Sequence, residues 1–464
     1  MKDFFYKYSN REDLTAIRTT KEVISYKQLF ELAKEISGYL IQNHFTSQKY
    51  VPIIASNSAE FIILIISLWN AGFVPVPLNT RWTEKEIELV LKRNQFDVIF
   101  FEKNFENKIN HLDIKKFSIN NLQSYKSNKT ENIDYDESVV IFTSGTTDIP
   151  KGVVHTFTSL SNSILNSKEI LNQNISDRWL ASLPFYHIGG FQIICRALSS
   201  GCEIIISDDL DNNSIINCIN KFNPTHISLV STQLRRLIDS NVRLNPALKL
   251  TLIGGGFSDD ELIIRSDKLG WKPYRVYGSS ETASFVTAAN ANEIISKPRT
   301  VGKPMKNVLI KISNDNEVLI STESLFKYYL NDTDETNIKN KNGFYFSGDI
   351  GFIDGDDYLF IEARRHDLII TGGENVNPYE VENELIKISE IKEACVFPLQ
   401  DAQWGQIVAA ALVLKSEINQ EKIECDLKKN LSSYKIPKKF FFVDEIPKTS
   451  LGKFERNKIR EMFA

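Results

Sequence analysis

The chain has 464 residues, too many for one ordinary core, so two or more domains are expected. Hydrophobic residues at 42% and charged residues at 25% argue against wholesale disorder, and a net charge of -4 argues against a general basic field for nucleic acid. The five cysteines (195, 202, 218, 395 and 425) are odd in number and lack metal-ligand spacing, so they read as free thiols in a reducing cytoplasm.

The opening residues, MKDFFYKYSNREDL, carry charges where a secretory leader needs an apolar core. SYKQLFELAKEISGYLIQ, from Ser25, repeats Leu29, Leu32, Ile36 and Leu40 at helical spacing, and VPIIAS reads as a strand. The most apolar stretch, FIILIISLWNAGFVPVPL, is broken by Asn70, Gly72, Pro75 and Pro77. It predicts a buried helix followed by a strand, with no membrane span. Short runs follow, DVIFFE, SVVIFT, EIIIS, THISLV and LTLIGGG, separated by helical stretches. Strands alternating with helices predict α/β layers around largely parallel sheets. The texture changes near Ala363, where EARRHDLIITGG leads into residues with an α+β rhythm of their own. A boundary placed within residues 362–367 gives a large N-terminal domain, 1–363, of layered sheets and helices, and a smaller α+β domain, 364–464.

TSGTTDIPKG, residues 143–152, follows a predicted strand. Its backbone N–H groups and hydroxyls suit phosphate oxygens, Lys151 adds a point charge, and Gly145 and Gly152 allow close approach. It is not the P-loop pattern G-x-x-x-x-G-K-[ST]. Pro150 replaces the second glycine, and Gly152 stands where a magnesium-binding hydroxyl would follow the lysine. Taken alone, the stretch also reads as a surface turn.

The loop resembles the first core motif of the adenylate-forming superfamily (acyl-CoA synthetases, adenylation domains and luciferases), with Asp148 where glycine is usual. PFYHIGG, LIGGGFSDDEL, VYGSSET, YFSGDIG, RRHDLIITGGENVNPYEVE and IPKTSLGK resemble further motifs of that family in its order. The resemblance implies a small C-terminal domain that rotates between two half-reactions, with His366 where the hinge aspartate is usual. It also implies roles for named residues. Thr143, Ser144, Gly145, Thr146, Thr147 and Lys151 would clamp ATP phosphates. Gly255 and Gly256 would line the adenine site, and Tyr277, with Ser280 in the same segment, would stack on the base. Glu281 would be the Mg2+ ligand. Asp349 would accept the ribose hydroxyls and Arg364 would contact ribose or phosphate. Gly372 and Gly373 would line a coenzyme A tunnel, near which Lys435, Lys438 and Lys439 are either phosphate contacts or an ordinary charged face. His187 would orient the acid; a carboxylate is already ionised at neutral pH and needs no base. Lys453 would bridge the attacking carboxylate and the α-phosphate.

The implied reaction joins a small carboxylic acid to coenzyme A through an acyl-adenylate. PFYHIGG carries no acid to hold an amino-acid ammonium group, which favours coenzyme A chemistry over amino-acid activation. HIGGFQIICRAL with TQLRRL most resembles the o-succinylbenzoate–CoA ligases of menaquinone synthesis; aryl- and fatty-acid–CoA ligases stand next. Arg81, Gln192, Arg196, Ser279 and Ser280 are candidates for a second substrate carboxylate. A nucleotide sensor without catalysis is the alternative class, and intact Lys453, Glu281 and Asp349 argue against it. No nucleic-acid partner is expected, and a homo-oligomer is left open.

Overall fold

The computed structural model describes residues 2–463 apart from positions 44, 128, 130–134, 144–149, 243, 257, 365–366, 372–373, 402–403, 432 and 450–451. The chain packs as two compact units. One is Met1–Leu309 with Ser321–Tyr345, and the other is Ile310–Ile320 with Phe346–Ala464.

The main sheet of the first unit has a parallel centre: Pro273–Ser279, Leu250–Gly254, His226–Val230, Arg178–Leu180, Glu203–Ile205 and Thr15–Arg18, in that spatial order. Ser284–Asn290 continues it antiparallel at one end and Val23–Ser25 at the other. Every residue of His226–Val230 is buried, as a parallel strand covered on both faces requires. The predicted alternation is present, with helices Ile188–Ser200, Asn212–Phe222, Ser231–Asp239 and Asp260–Lys268 between these strands. Asp211 and Asp259 cap two of them by accepting from Ser214 N and Leu262 N.

A second sheet is wholly parallel: Val74–Pro77, Tyr50–Ile54, Val98–Phe101 and Lys115–Ser118. The apolar run is the helix Ala59–Asn70 followed by the strand Val74–Pro77, as its sequence predicts. Ser58 Oγ caps the helix by accepting from Phe61 N at 3.1 Å. Apolar nearly all round, the helix is buried, and Trp69 Nε1 donates to Ser138 O at 2.7 Å. Among the described residues no helix is long and apolar enough to cross a membrane. The third sheet is the antiparallel hairpin Glu137–Thr143 and Lys151–Thr156, joined by Tyr328–Tyr329.

In the second unit, Leu309–Ile312, Glu317–Ser321, Phe344–Ile353 and Leu359–Arg364 lie side by side. Glu374–Val376, Ile369–Thr371, Gly405–Leu414 and Ile391–Asp401 form another sheet, with Lys439–Phe442 parallel to Gly405–Leu414. Val381 and Leu385 of helix Pro378–Ile386 and Ile423 and Leu427 of helix Gln420–Leu427 share one core. Phe463, from helix Arg456–Phe463, stacks on Phe441 in another. The division by packing therefore falls inside Phe344–Ile353, earlier than the expected boundary at 362–367. The cause is that residues 310–320 and the hairpin Phe344–Ile353/Leu359–Arg364 pack with the C-terminal part of the chain.

Candidate active site

In the first unit, Gly255, Gly256, Tyr277, Ser280 and Glu281 gather at the carboxyl ends of two adjacent parallel strands, where open α/β sheets bind ligands. Leu250–Gly254 runs into Gly255 and Gly256, and Gly255 takes φ +81°. Its neighbour Pro273–Ser279 carries Tyr277 and leads to Ser280 and Glu281. A Cβ on Gly254 would come 2.9 Å from Val276 Cγ2, so the glycine lets the two strand ends approach.

The Glu281 turn is held from several directions. Glu281 Oε1 accepts from Tyr329 Oη at 2.8 Å, and Glu281 O accepts from Phe326 N at 2.7 Å. The fully buried His155 places Nε2 2.8 Å from Ser280 O, and burial pushes its pKa down to about 4. Thr282 Oγ1 accepts from Ser279 N and donates to Ser284 O. Just beyond, Ala283 and Ser284 sit at φ 56° and 130°, a costly conformation for residues with a Cβ. Ser163 Oγ and Gln192 Nε2 hold it by donating to Ala283 O at 3.0 and 2.8 Å.

Thr143 and Lys151 face each other across the hairpin, so the sequence's phosphate-type loop closes two antiparallel strands rather than opening a helix. Ser144, Gly145, Thr146 and Thr147 lie outside the described residues, as does Asp148. Lys151 Nζ is 2.9 Å from Glu335 Oε1 and 5.9 Å from the centre of the Tyr329 ring. The Tyr329 side chain thus binds the Glu281 carboxylate and lies beside the loop lysine.

His187 precedes the helix Ile188–Ser200, its ring 4.6 Å from that of Tyr186. Gly190 is required here, since a Cβ would lie 2.0 Å from Pro184 O. Further along this helix, Gln192 and Arg196 are buried. Arg196 Nη2 donates to Ser284 Oγ at 3.1 Å, and its guanidinium lies over the rings of Trp179 and Phe285. Burial lowers its pKa to about 10, which leaves it charged at neutral pH. Among the described residues, Gln192 Oε1, Arg196 Nε and Ser279 Oγ are buried without a hydrogen-bond partner. Arg81 is exposed.

The second unit holds the remaining predicted residues. Asp349 is buried in Phe344–Ile353, directly opposite Arg364 of Leu359–Arg364. Lys453 is exposed on a turn in which Thr449 N donates to Lys453 O at 2.8 Å and Gly452 takes φ +75°. Gly372, Gly373 and His366 lie outside the described residues. Lys435 Nζ is 2.7 Å from Glu380 Oε2, Lys438 covers the Trp404 ring at 3.9 Å, and Lys439 is exposed.

Comparison with known proteins bears on this geometry. The model of the AMP-binding enzyme family matches residues 4–330, and that of the AMP-binding enzyme C-terminal domain matches residues 380–453. The chain belongs to the AMP-binding enzyme family. It is 31% identical over 456 residues to a 2-succinylbenzoate–CoA ligase of Staphylococcus epidermidis, covering 96% of this chain and 94% of that protein. A second 2-succinylbenzoate–CoA ligase, from Bacillus cereus, is 29% identical over 465 residues, covering 97% and 96%. Among solved structures, o-succinylbenzoate CoA synthetase of Bacillus subtilis in complex with the acyl-adenylate OSB-AMP superposes with a TM-score of 0.91 at 26% identity, covering 98% of this chain and 97% of that one. The same Bacillus enzyme in complex with ATP and magnesium ion gives the same score.

Membership of the family implies a magnesium ion, and the residues present fit one. Among the described residues no group of three or more His, Cys, Asp or Glu gathers into a cage. A single carboxylate beside a phosphate site is how Mg2+ is commonly held, with phosphates and water completing the shell. Glu281 meets that need, with Oε1 fixed by Tyr329. Sequence reasoning missed Tyr329, His155 and Glu335, whose importance lies in partners far away in the chain.

Proposed function

We propose that this enzyme is an AMP-forming acid–CoA ligase acting on o-succinylbenzoate, with coenzyme A as acceptor, in menaquinone synthesis. Within the first unit, the reading rests above all on one convergence: the strand leading to Glu281 lies beside the one ending in the Gly254–Gly256 turn, and the Tyr329 side chain lies between the Glu281 carboxylate and Lys151. The near full-length similarity to 2-succinylbenzoate–CoA ligases supports the choice of acid.

In the first half-reaction a carboxylate oxygen of the acid attacks the α-phosphorus of ATP, and the bond to pyrophosphate breaks. The thiolate of coenzyme A then attacks the acyl carbon, the bond to the phosphate oxygen breaks, and AMP leaves. Lys151 and residues 143–147 bind the phosphates that depart. Tyr277 and the glycine turn receive the base, and Asp349 accepts from the ribose hydroxyls. Glu281 would hold Mg2+, which when bound would neutralise phosphate charge facing the incoming carboxylate. Lys453 meets negative charge on the α-phosphoryl oxygens as the new bond forms. His187 orients the reacting carboxylate, with no proton to remove. Arg196, charged and buried, with no partner for Nε among the described residues, suits the second carboxylate of the acid better than exposed Arg81 does.

Acid-dependent exchange of labelled pyrophosphate into ATP tests the proposal, run with o-succinylbenzoate, benzoate and medium-chain fatty acids. Exchange with o-succinylbenzoate above the others supports it. Exchange with another acid alone overturns the substrate, and exchange with none overturns the ligase reading in favour of a nucleotide sensor.

A further inference from the structure

We propose that Tyr329 is a positioning residue for the magnesium-binding carboxylate, setting the direction from which Glu281 meets the ion. The inference rests on the reading of Glu281 given above and adds a residue from a different part of the chain.

Tyr329 is itself fixed before it reaches Glu281. Its backbone N donates to Thr336 Oγ1 at 2.9 Å, and its strand pairs with Lys151–Thr156 in register Tyr329↔Val153. Its ring packs on Phe326 at 4.7 Å, and the residue is 3% exposed. The hydroxyl of so buried a tyrosine needs a partner, and Glu281 Oε1 at 2.8 Å is that partner.

The carboxylate has two oxygens. With Oε1 accepting from a buried donor, Oε2 is presented to the ion in one orientation. The turn beneath is equally constrained: Phe326 N binds Glu281 O, His155 binds Ser280 O, and the strained Ala283 is held by Gln192 and Ser163. Phe326 and Tyr329 thus bind the backbone and the carboxylate of one residue from one short segment. Donors that orient a ligating group commonly change metal affinity on the order of 10-fold or more when removed. An ordinary buried tyrosine would affect stability alone, whereas this one acts on metal dependence.

The test is Y329F in the full chain, which keeps the ring against Phe326 and removes the hydroxyl. ATP binding is measured by calorimetry across a magnesium series and in EDTA, with E281Q alongside. The expected result is a rise on the order of 10-fold in the magnesium concentration for half-maximal tightening of ATP, with ATP affinity in EDTA unchanged. An unchanged magnesium dependence in Y329F, while E281Q abolishes it, overturns the role of Tyr329. An equal loss of affinity with and without magnesium also overturns it, because Tyr329 would then be shaping the nucleotide site as a whole. If E281Q leaves the magnesium dependence intact, the reading of Glu281 fails and the inference with it.

Discussion

Replacing Arg456 by methionine should loosen the second unit and leave the first intact. Arg456 Nη2 lies 2.6 Å from Glu382 Oε1, Nε donates to Val396 O at 3.0 Å, and the guanidinium sits 4.4 Å from the centre of the Tyr379 ring. The side chains of the pair are only 13% and 9% exposed. Removing one partner of a buried pair leaves the other unpaired, at a typical cost of about 3–5 kcal/mol. Burial already pushes the Glu382 carboxyl above its usual range, so protonation in the variant keeps the loss toward the lower end. Amide exchange in urea, read on peptides from Pro378–Ile386 and Ile391–Asp401, reports this unit alone. The double variant R456M/E382Q removes the stranded charge and should recover most of the loss. A change below about 1 kcal/mol in R456M, or a double variant as unstable as the single one, would refute the reasoning.

Lys453→Ala should slow acyl-adenylate formation by about 10²–10³, the range for losing one donor at a developing oxyanion, and spare thioester formation from supplied acyl-adenylate. Rapid-quench assays of the two half-reactions separate these; equal losses would count against the role given to Lys453. His155 makes a prediction about pH. Its pKa falls from 6.5 to about 4 on folding, so its contribution is complete above 6.5 and is lost as pH falls toward 4. Between pH 7 and 5 the first unit should lose about 2 kcal/mol through this group. His155→Gln should flatten that slope in urea titrations, and an unchanged slope would contradict the assignment.

Much of the fold was legible because its signals are local. Period-2 and period-3.6 runs foretold the parallel strands and their helices, and Asn70 and Gly72 marked the end of the helix Ala59–Asn70. The phosphate loop was recognisable from contiguous residues. That it closes a hairpin was not, since nothing in TSGTTDIPKG states whether a helix or a strand follows. The unit boundary was placed late because residues 310–320 leave and rejoin the first unit without a change in composition. The supports of the site stayed hidden for a related reason. Tyr329 meets Glu281 across 48 residues, and His155 meets Ser280 across 125. Both are common residue types whose meaning comes from pairing. Arg196 was a candidate by residue type, but its place between Trp179 and Phe285 needed the fold.

An acid activated as an acyl-adenylate must leave one of its carboxylate oxygens on AMP. The enzyme would turn over o-succinylbenzoate labelled with ¹⁸O in the carboxylates, with Mg·ATP and coenzyme A, and the products would be weighed by mass spectrometry. Attack on the α-phosphorus followed by cleavage of the acyl–oxygen bond predicts one labelled oxygen in AMP and none in pyrophosphate. Label in inorganic phosphate with ADP as the nucleotide product, or unlabelled AMP, would contradict the account.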